Sequence, residues 1–491
     1  MTLPTLDLVV LVAYILGVIA LGLVTAGRQR TAEDYFLADR SIPWLAICFS
    51  VVATETSALT VVSVPGTAYV GDLWLLQLTI GYIAGRIAVA VLLLPGYFRG
   101  RISTAYAILE ERFGPATRRF ASVLFMVTRA LADSVRIFVA AIPLVLITNL
   151  DYWQAILLLG AATLAYTYVG GLRSVVWVDV SQMAIYLVGG VAALVVLGQV
   201  VPGGWEEIIR AARPAGKLRV FHFEGTMADA NWFWTGLIGG GFLTMASHGA
   251  DQLIVQRLLA APSLKGARKA LVGSSLLVMG QFALFLLVGV GLWVYFQGAA
   301  FESPDEIFPR FIIERMPAGL AGLLLAAIMA AMMSTVSSSL NSLASAATFD
   351  IYAPLTGRTD SRHLLKVGRG FTLLWAAVLL GGAMAFQQAL EGTPVVVVAL
   401  QIASFTYGGL LGGFLLALLV RRADQTDAIL AISAAVLAMS VLWIGQRVGL
   451  IPPLVNSLWF ACLGSIIALA VGFGSSRLLH GRGTVADTSG P

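Results

Sequence analysis

The richest run of chemically useful side chains in this sequence is Ala331-Met332-Met333-Ser334-Thr335-Val336-Ser337-Ser338-Ser339-Leu340-Asn341-Ser342, a ladder of hydroxyls inside an otherwise apolar stretch. At about 3.6 residues per turn, Ala331, Ser334, Ser337 and Ser338 share one helical face, with Thr335 beside them. Hydroxyl oxygens can replace the water around a hard cation such as sodium. Small residues also let a neighbouring backbone come close, and hydroxyls can bond back onto the carbonyl four residues earlier. The segment alone leaves cation binding and close helix packing both open.

Ionisable side chains placed in apolar runs are the second source of chemistry, because each needs a partner or a wet cavity. Glu55 lies on the polar stretch Ala53-Thr54-Glu55-Thr56-Ser57, Arg86 in the next run, and Arg129, Asp133 and Arg136 in the one after. Arg129 and Asp133 are spaced i, i+4, which suits a structural ion pair within one helix. Arg136 has no evident local partner. Its guanidinium could grip a substrate carboxylate in bidentate fashion or pair with Glu55 across helices. Asp179 reads as an N-terminal helix cap, Asp251 and Gln256-Arg257 as anchors near a helix end, and His248 as a packed histidine. No metalloprotease His-Glu-x-x-His, phosphate-binding glycine loop or nucleophile elbow occurs in a credible context, which speaks against an enzyme.

The elements that must hold these groups are membrane helices. The 491 residues are 58% hydrophobic and 12% charged, with a mean hydropathy of +0.88. Soluble domains carry about 25% charge. Apolar runs of about 20 residues match a bilayer core. About thirteen such spans are expected, at 5–25, 43–64, 74–97, 119–148, 152–171, 175–201, 232–254, 270–297, 318–345, 365–387, 394–420, 427–446 and 454–475. The fold class is therefore an all-α polytopic membrane protein. The first run is not expected to be a cleaved signal peptide, since Asp7 precedes it and no basic segment does. Cys48 and Cys462 are too few for a disulfide framework or a cysteine metal site. Basic residues collect in alternate loops, so the basic pI reports topology rather than nucleic-acid binding: N-terminus outside, C-terminus cytoplasmic.

One leading span and two trailing ones would leave a ten-helix core, which divides into two five-helix halves of opposite orientation with a site where they meet. The boundaries are 1–42 for the leading helix and inner loop, 43–201 for the first repeat and 202–231 for an outer loop. The second repeat is 232–422, followed by two trailing helices over 423–475 and a cytoplasmic tail over 476–491. Interruptions fall at matching places: the polar stretch at 53–57, with its span ending at Pro65-Gly66, and Gly236, Gly239, Gly240 and Gly241 followed by Ser247–Gln252. Such patches line a cavity or serve close packing.

Six segments, in order, resemble the sodium:solute symporter family, which includes transporters of sugars, proline, pantothenate, monocarboxylates and sialic acid. They are Ala53-Thr54-Glu55-Thr56-Ser57-Ala58 with Pro65-Gly66; Thr104-Ala105-Tyr106 through Leu109-Glu110-Glu111-Arg112-Phe113-Gly114; and Tyr166-Thr167-Tyr168-Val169-Gly170-Gly171 followed by Val176-Trp177-Val178-Asp179-Val180-Ser181-Gln182. The rest are Asp251-Gln252 with Gln256-Arg257; Ser334-Thr335 through Leu340-Asn341-Ser342 with Asp350-Ile351-Tyr352; and Tyr407-Gly408-Gly409-Leu410-Leu411-Gly412. The resemblance spans roughly 5–420 and implies a LeuT-like inverted repeat that moves solute with sodium by alternating access.

The resemblance implies a first sodium site from the carbonyls of Ala53, Thr56 and Ala331 and the hydroxyls of Ser334 and Thr335. A second ion, as in the sialic acid transporters, would use Ser334, Ser337, Ser338 and Asp179, giving one or two sodium ions. Solute contacts carried over from the same subgroup are Ser57, Thr60 and Arg136, with Gln401 and Ser404 lining the cavity. Glu55 departs from that subgroup, where a small hydroxyl residue is usual, and with Arg136 would suit a zwitterion. Leu78 and Thr79 replace polar groups of the sugar symporters and argue against a simple monosaccharide. The expected function is import of a small, carboxylate-bearing solute (sialic acid, amino acid or organic acid) with sodium. A functional monomer in the cell inner membrane or plasma membrane is expected. The alternatives are a transporter-like membrane sensor, disfavoured because the chain ends soon after 475 without a kinase domain, and a sodium-independent uniporter.

Overall fold

The computed structural model describes residues 4–100, 102–148, 150–389 and 395–480; side chains at 58–59, 139–140, 142–143, 146–148, 387–389, 395–404 and 479–480 lie outside the description. The described residues form helices and no strand. The helices that frame the site and its surroundings are, in order, α1 (Thr5–Thr25), α2 (Ala32–Leu37), α3 (Trp44–Glu55), α4 (Ala58–Val70), α5 (Leu75–Leu92), α6 (Pro115–Thr148), α7 (Tyr152–Val200) and α8 (Gly204–Ala212). There follow α9 (Gly240–Gly249), α10 (Gln252–Leu259), α11 (Leu264–Tyr295), α12 (Leu320–Ala346), α13 (Ser361–Ala389), α14 (Val395–Leu419), α15 (Gln425–Arg447) and α16 (Phe460–His480). Among the described residues eight helical stretches are long and apolar enough to cross a membrane by length and composition, or nine if the bent pair Ala32–Arg40 with Trp44–Glu55 is one span. Every segment expected to span has a helix over it.

The breaks position the site. α3 stops at Glu55 because Thr56 and Ser57 are extended, at φ −77, ψ 112 and φ −98, ψ 167. The chain then resumes as α4 and runs through Pro65 to Val70. The expected end of this span at Pro65-Gly66 is thus wrong. Pro65 lies where α4 meets α11, and a Cβ on Gly289 would sit 2.1 Å from the Pro65 carbonyl oxygen. A second break, at Ala250–Asp251, separates α9 from α10, with Asp251 capping the Leu253 amide at 2.8 Å.

α7 spans 49 residues, about 74 Å at 1.5 Å per residue, against a hydrocarbon core of about 30 Å. Gly171 divides it, at φ 55 and ψ −147. A Cβ there would fall 2.2 Å from the Tyr35 carbonyl oxygen, so only glycine lets α2 close on this bend. The glycines of the seventh span serve close packing: a Cβ on Gly81 would meet the Gly236 oxygen at 2.2 Å, and one on Gly85 the Gly241 oxygen at 2.4 Å.

α12 is the axle of the molecule. All but two of its 27 residues, Leu320 and Leu323, are buried, and it packs against α7, α6, α1, α13, α3 and α4. Asp7 of α1 accepts the amides of Gly319 and Gly322, both at 2.7 Å, and so caps the N-terminus of α12. The segment after α8 straps the end of α4. Lys217 Nζ donates to the carbonyls of Tyr69 at 2.6 Å and Gly71 at 2.9 Å.

Candidate functional site

Breaking α3 releases backbone oxygens. In an unbroken helix the Ser57 amide would bond to the Ala53 carbonyl and the Thr60 amide to the Thr56 carbonyl. Instead Ser57 N–H donates to Thr60 Oγ1 at 3.3 Å, and Thr60 N–H donates to the Ser57 carbonyl at 2.9 Å. The carbonyls of Ala53 and Thr56 lose their helical donors, which is what a cation needs from a backbone. α12 packs against both halves of the break.

The hydroxyl ladder on α12 is wholly inside the protein: Ser334, Ser337, Ser338, Ser339 and Ser342 are 0% exposed and Thr335 is 4% exposed. Part of it bonds back onto its own helix. Thr335 Oγ1 donates to the Ala331 carbonyl at 3.1 Å, while Ser337 and Ser338 donate to the Ser334 carbonyl at 3.1 and 2.6 Å. Ser334 reaches outward instead, donating to Asp179 Oδ1 at 2.7 Å.

Asp179 is fully buried in the middle of the second half of α7, and its reading as a helix cap is corrected. Its second oxygen, Oδ2, accepts from Ser50 Oγ at 2.6 Å and faces Arg257 Nη2 at 3.3 Å. Arg257 is also 0% exposed, so it is no surface anchor. It further donates to Ser338 Oγ, to Ser50 Oγ at 3.0 Å and to the Leu253 carbonyl at 2.7 Å. A protein guanidinium therefore shares Asp179 and Ser338. Ser50 and Arg257 were missed as participants; the one signal was an arginine beside Gln256 in an otherwise apolar run.

Arg136 does not pair with Glu55. Its Nη1 donates to Asp133 Oδ1 at 3.0 Å, three residues back on α6. Arg129 is tied chiefly to Asp251, with Tyr407 Oη at 3.2 Å, while Asp133 Oδ1 is 3.5 Å away. Ser339 donates to the other oxygen of Asp133. The helix-internal pair is thus one corner of a network joining α6, the second break, α12 and α14. Asp251 is 1% exposed and belongs to that interior network.

Glu55 pairs instead with Arg86, whose Nη1 donates to Ser274 Oγ at 2.5 Å. His248 Nε2 stands 3.6 Å from Glu55 Oε2, so this histidine is not simply packed. Ser57 and Thr60 occupy the first turn of α4, beside the break. Gln401 and Ser404 lie on α14, but their side chains fall outside the described residues.

Comparison with known proteins gives these groups a setting. A relative from Aliivibrio fischeri, "Sodium/sialic acid symporter NanT", is 30% identical over 96% of this chain and 92% of its own length. The human "Sodium-coupled monocarboxylate transporter 1" is 28% identical over 91% of this chain and 74% of its own length. Among solved structures, a substrate-bound, outward-open Na+-coupled sialic acid symporter superposes with a TM-score of 0.85 at 28% identity, covering 96% of this chain and 98% of that one. The family model described as "Sodium:solute symporter family" matches residues 35–434, four-fifths of the sequence and both helix breaks, and the chain belongs to that family.

Proposed function

We propose that this protein imports a small carboxylate-bearing organic solute together with sodium, by alternating access. One observation carries the reading. The break at Thr56–Ser57 frees the carbonyls of Ala53 and Thr56 beside α12, whose buried hydroxyls turn toward the protein rather than lipid. Ala53, Thr56, Ala331, Ser334 and Thr335 supply the oxygens for one sodium. Ser334, Ser337, Ser338 and Asp179 suit a second, beside Arg257, which sits against Asp179 and Ser338. Ser57, Thr60 and Arg136 face the solute.

The two five-helix halves, 43–201 and 232–422, rock about this site, with 1–42 leading, 423–475 trailing and 476–491 as a tail. The N-terminus lies outside the cell inner membrane or plasma membrane and the C-terminus in the cytoplasm, and the functional unit is a monomer. Each sodium entering gains about 2.3 kcal/mol per 100 mV, which is the work available to concentrate solute. Nothing in this cycle requires a covalent step.

The deciding experiment is uptake by proteoliposomes with an imposed sodium gradient, for the native chain and for Ser334→Ala with Thr335→Ala. The pair of changes should abolish sodium-dependent uptake and leave the folded protein intact. Uptake that keeps its sodium dependence, or that never had any, would sink the assignment.

A further inference from the structure

Among the carboxylates buried in the membrane-spanning interior three are fully bonded, while Asp350, with an unpartnered Oδ2, and Glu55 are not. Asp133, Asp179 and Asp251 each have both oxygens engaged: Asp133 by Arg129, Arg136 and Ser339, Asp179 by Ser334, Ser50 and Arg257, and Asp251 by Leu253 N, Arg129 and Tyr407. These are closed networks, in which the ion pair satisfies itself. Glu55 is different. Its Oε2 takes Arg86, no hydrogen bond among the described residues falls on Oε1, and its side chain is 23% exposed.

Its neighbours are equally incomplete. Arg86 Nε and His248 Nε2 are both buried without a partner, although the two residues are 0% and 2% exposed. His248 is held from its other nitrogen, Nδ1, by Ser247 Oγ at 2.8 Å, which fixes the ring with Nε2 turned toward Glu55. Arg86 is held by Ser274 from α11. Three helices and one break therefore hold a carboxylate and an imidazole 3.6 Å apart, both with bonding capacity unspent. Leaving polar groups unpaired in a low-dielectric interior is costly, and such a site is completed by a ligand that brings the missing hydrogens. Arg86 Nε is an unpaired donor; the acceptors with spare capacity nearest the break are Glu55 Oε1 and, when neutral and protonated at Nδ1, His248 Nε2.

We infer that Glu55 and His248, positioned by Arg86, Ser247 and Ser274, form a polar subsite that reads a hydrogen-bond donor on the transported solute. The solute class is an organic acid that also carries an amino or hydroxyl group, in preference to a plain monocarboxylate. This rests on the reading of the protein as an organic-acid symporter and adds the second recognition element to it. A site built to bond a substrate N–H or O–H rejects the analogue lacking it strongly, because its own polar groups are then left bare.

The test uses the purified full chain with sodium and six acids: alanine, lactate and propionate, and 6-aminohexanoate, 6-hydroxyhexanoate and hexanoate. Thermal stabilisation is titrated for each. Within at least one carbon skeleton the amino or hydroxy acid should half-saturate at a concentration at least about tenfold below the unsubstituted acid. The amino and hydroxy arms then tell which donor is preferred. Glu55→Gln combined with Arg86→Gln removes both charges without stranding either, and His248→Leu removes the imidazole, with both its unpaired Nε2 and the Nδ1 held by Ser247. Each should bring the ratio toward one while sodium alone still stabilises the protein. Plain acids binding as tightly as their substituted partners, or a ratio unchanged by both variants, overturns the subsite alone. No sodium-dependent binding of any of the six overturns the organic-acid reading and the subsite with it.

Discussion

Ser334 and Arg257 hold opposite oxygens of one carboxylate: Ser334 Oγ lies 2.7 Å from Asp179 Oδ1, and Arg257 Nη2 lies 3.3 Å from Oδ2. α12, which carries the hydroxyl ladder, is thereby tied through α7 to the segment that follows the second helix break. Any movement of α12 against α7 must be felt by Arg257.

The Asp179–Arg257 pair should behave as a coupled unit in stability measurements. Asp179→Asn leaves a buried guanidinium without its counter-charge, at a cost of about 3–5 kcal/mol. Arg257→Met leaves the carboxylate to two hydroxyls, with a loss of similar size. The double variant should cost at least about 1 kcal/mol less than the sum. Unfolding in detergent measures this, and strictly additive losses would mean the two side chains act independently.

Ser334→Ala isolates the ion from the fold. Asp179 keeps Ser50 and Arg257, so stability should fall by only about 1–2 kcal/mol. The sodium concentration for half-maximal uptake should rise at least about tenfold, equivalent to about 1.4 kcal/mol of lost ion binding. Comparable sodium dependence in variant and native protein would show that this hydroxyl serves only packing.

The two arginines of α6 should separate cleanly. Arg136 is partly accessible, with its side chain 20% exposed, whereas Arg129 is sealed between Asp251, Tyr407 and Asp133. Arg136→Ala should leave expression near normal and raise the KM for solute by about tenfold or more. Arg129→Ala should instead reduce the yield of folded protein, by stranding Asp251. An unchanged KM for Arg136→Ala excludes carboxylate capture at this position.

Gly171→Ala should be among the most damaging single-methyl changes. The new Cβ meets the Tyr35 carbonyl oxygen at 2.2 Å, in a backbone conformation that side chains rarely adopt. A loss above about 2 kcal/mol is expected. Gly17→Ala, where a Cβ meets nothing within 4 Å, is the matched control and should change stability little. Equal melting temperatures for the two variants would contradict the role given to the bend.

Lys217→Met should loosen the strap over α4 without touching the site. The lost bonds to the Tyr69 and Gly71 carbonyls are charge-assisted and worth about 1–3 kcal/mol together. Proteolysis of the intact protein should speed up within the segment following α8, and unaltered cleavage there would place the restraint elsewhere.

Much of this architecture was legible in the amino-acid order, because lipid makes hydrophobic length nearly synonymous with helix. The polar stretch at 53–57 marked a helix interruption, since hydroxyls and a carboxylate at that depth have no other use for an apolar span. The ladder on α12 followed from periodicity alone. Local pairings were the weak point. Asp133 sits three residues before Arg136, yet the partners offered for that arginine were a substrate carboxylate or Glu55, on another helix. Pro65 was read as a stop, although α4 carries it where α11 packs alongside.

The sequence by itself determined the membrane helices, their polar faces and the residues unable to live in lipid. It could not determine which buried charge meets which. Several acids and bases were available at similar depths, and Coulomb attraction has no preference of its own among them. Only the way α3, α5, α7 and α10 cross decided that Glu55 meets Arg86 and Asp179 meets Arg257. A side chain reaches only a few ångströms, so helix crossings choose its partners.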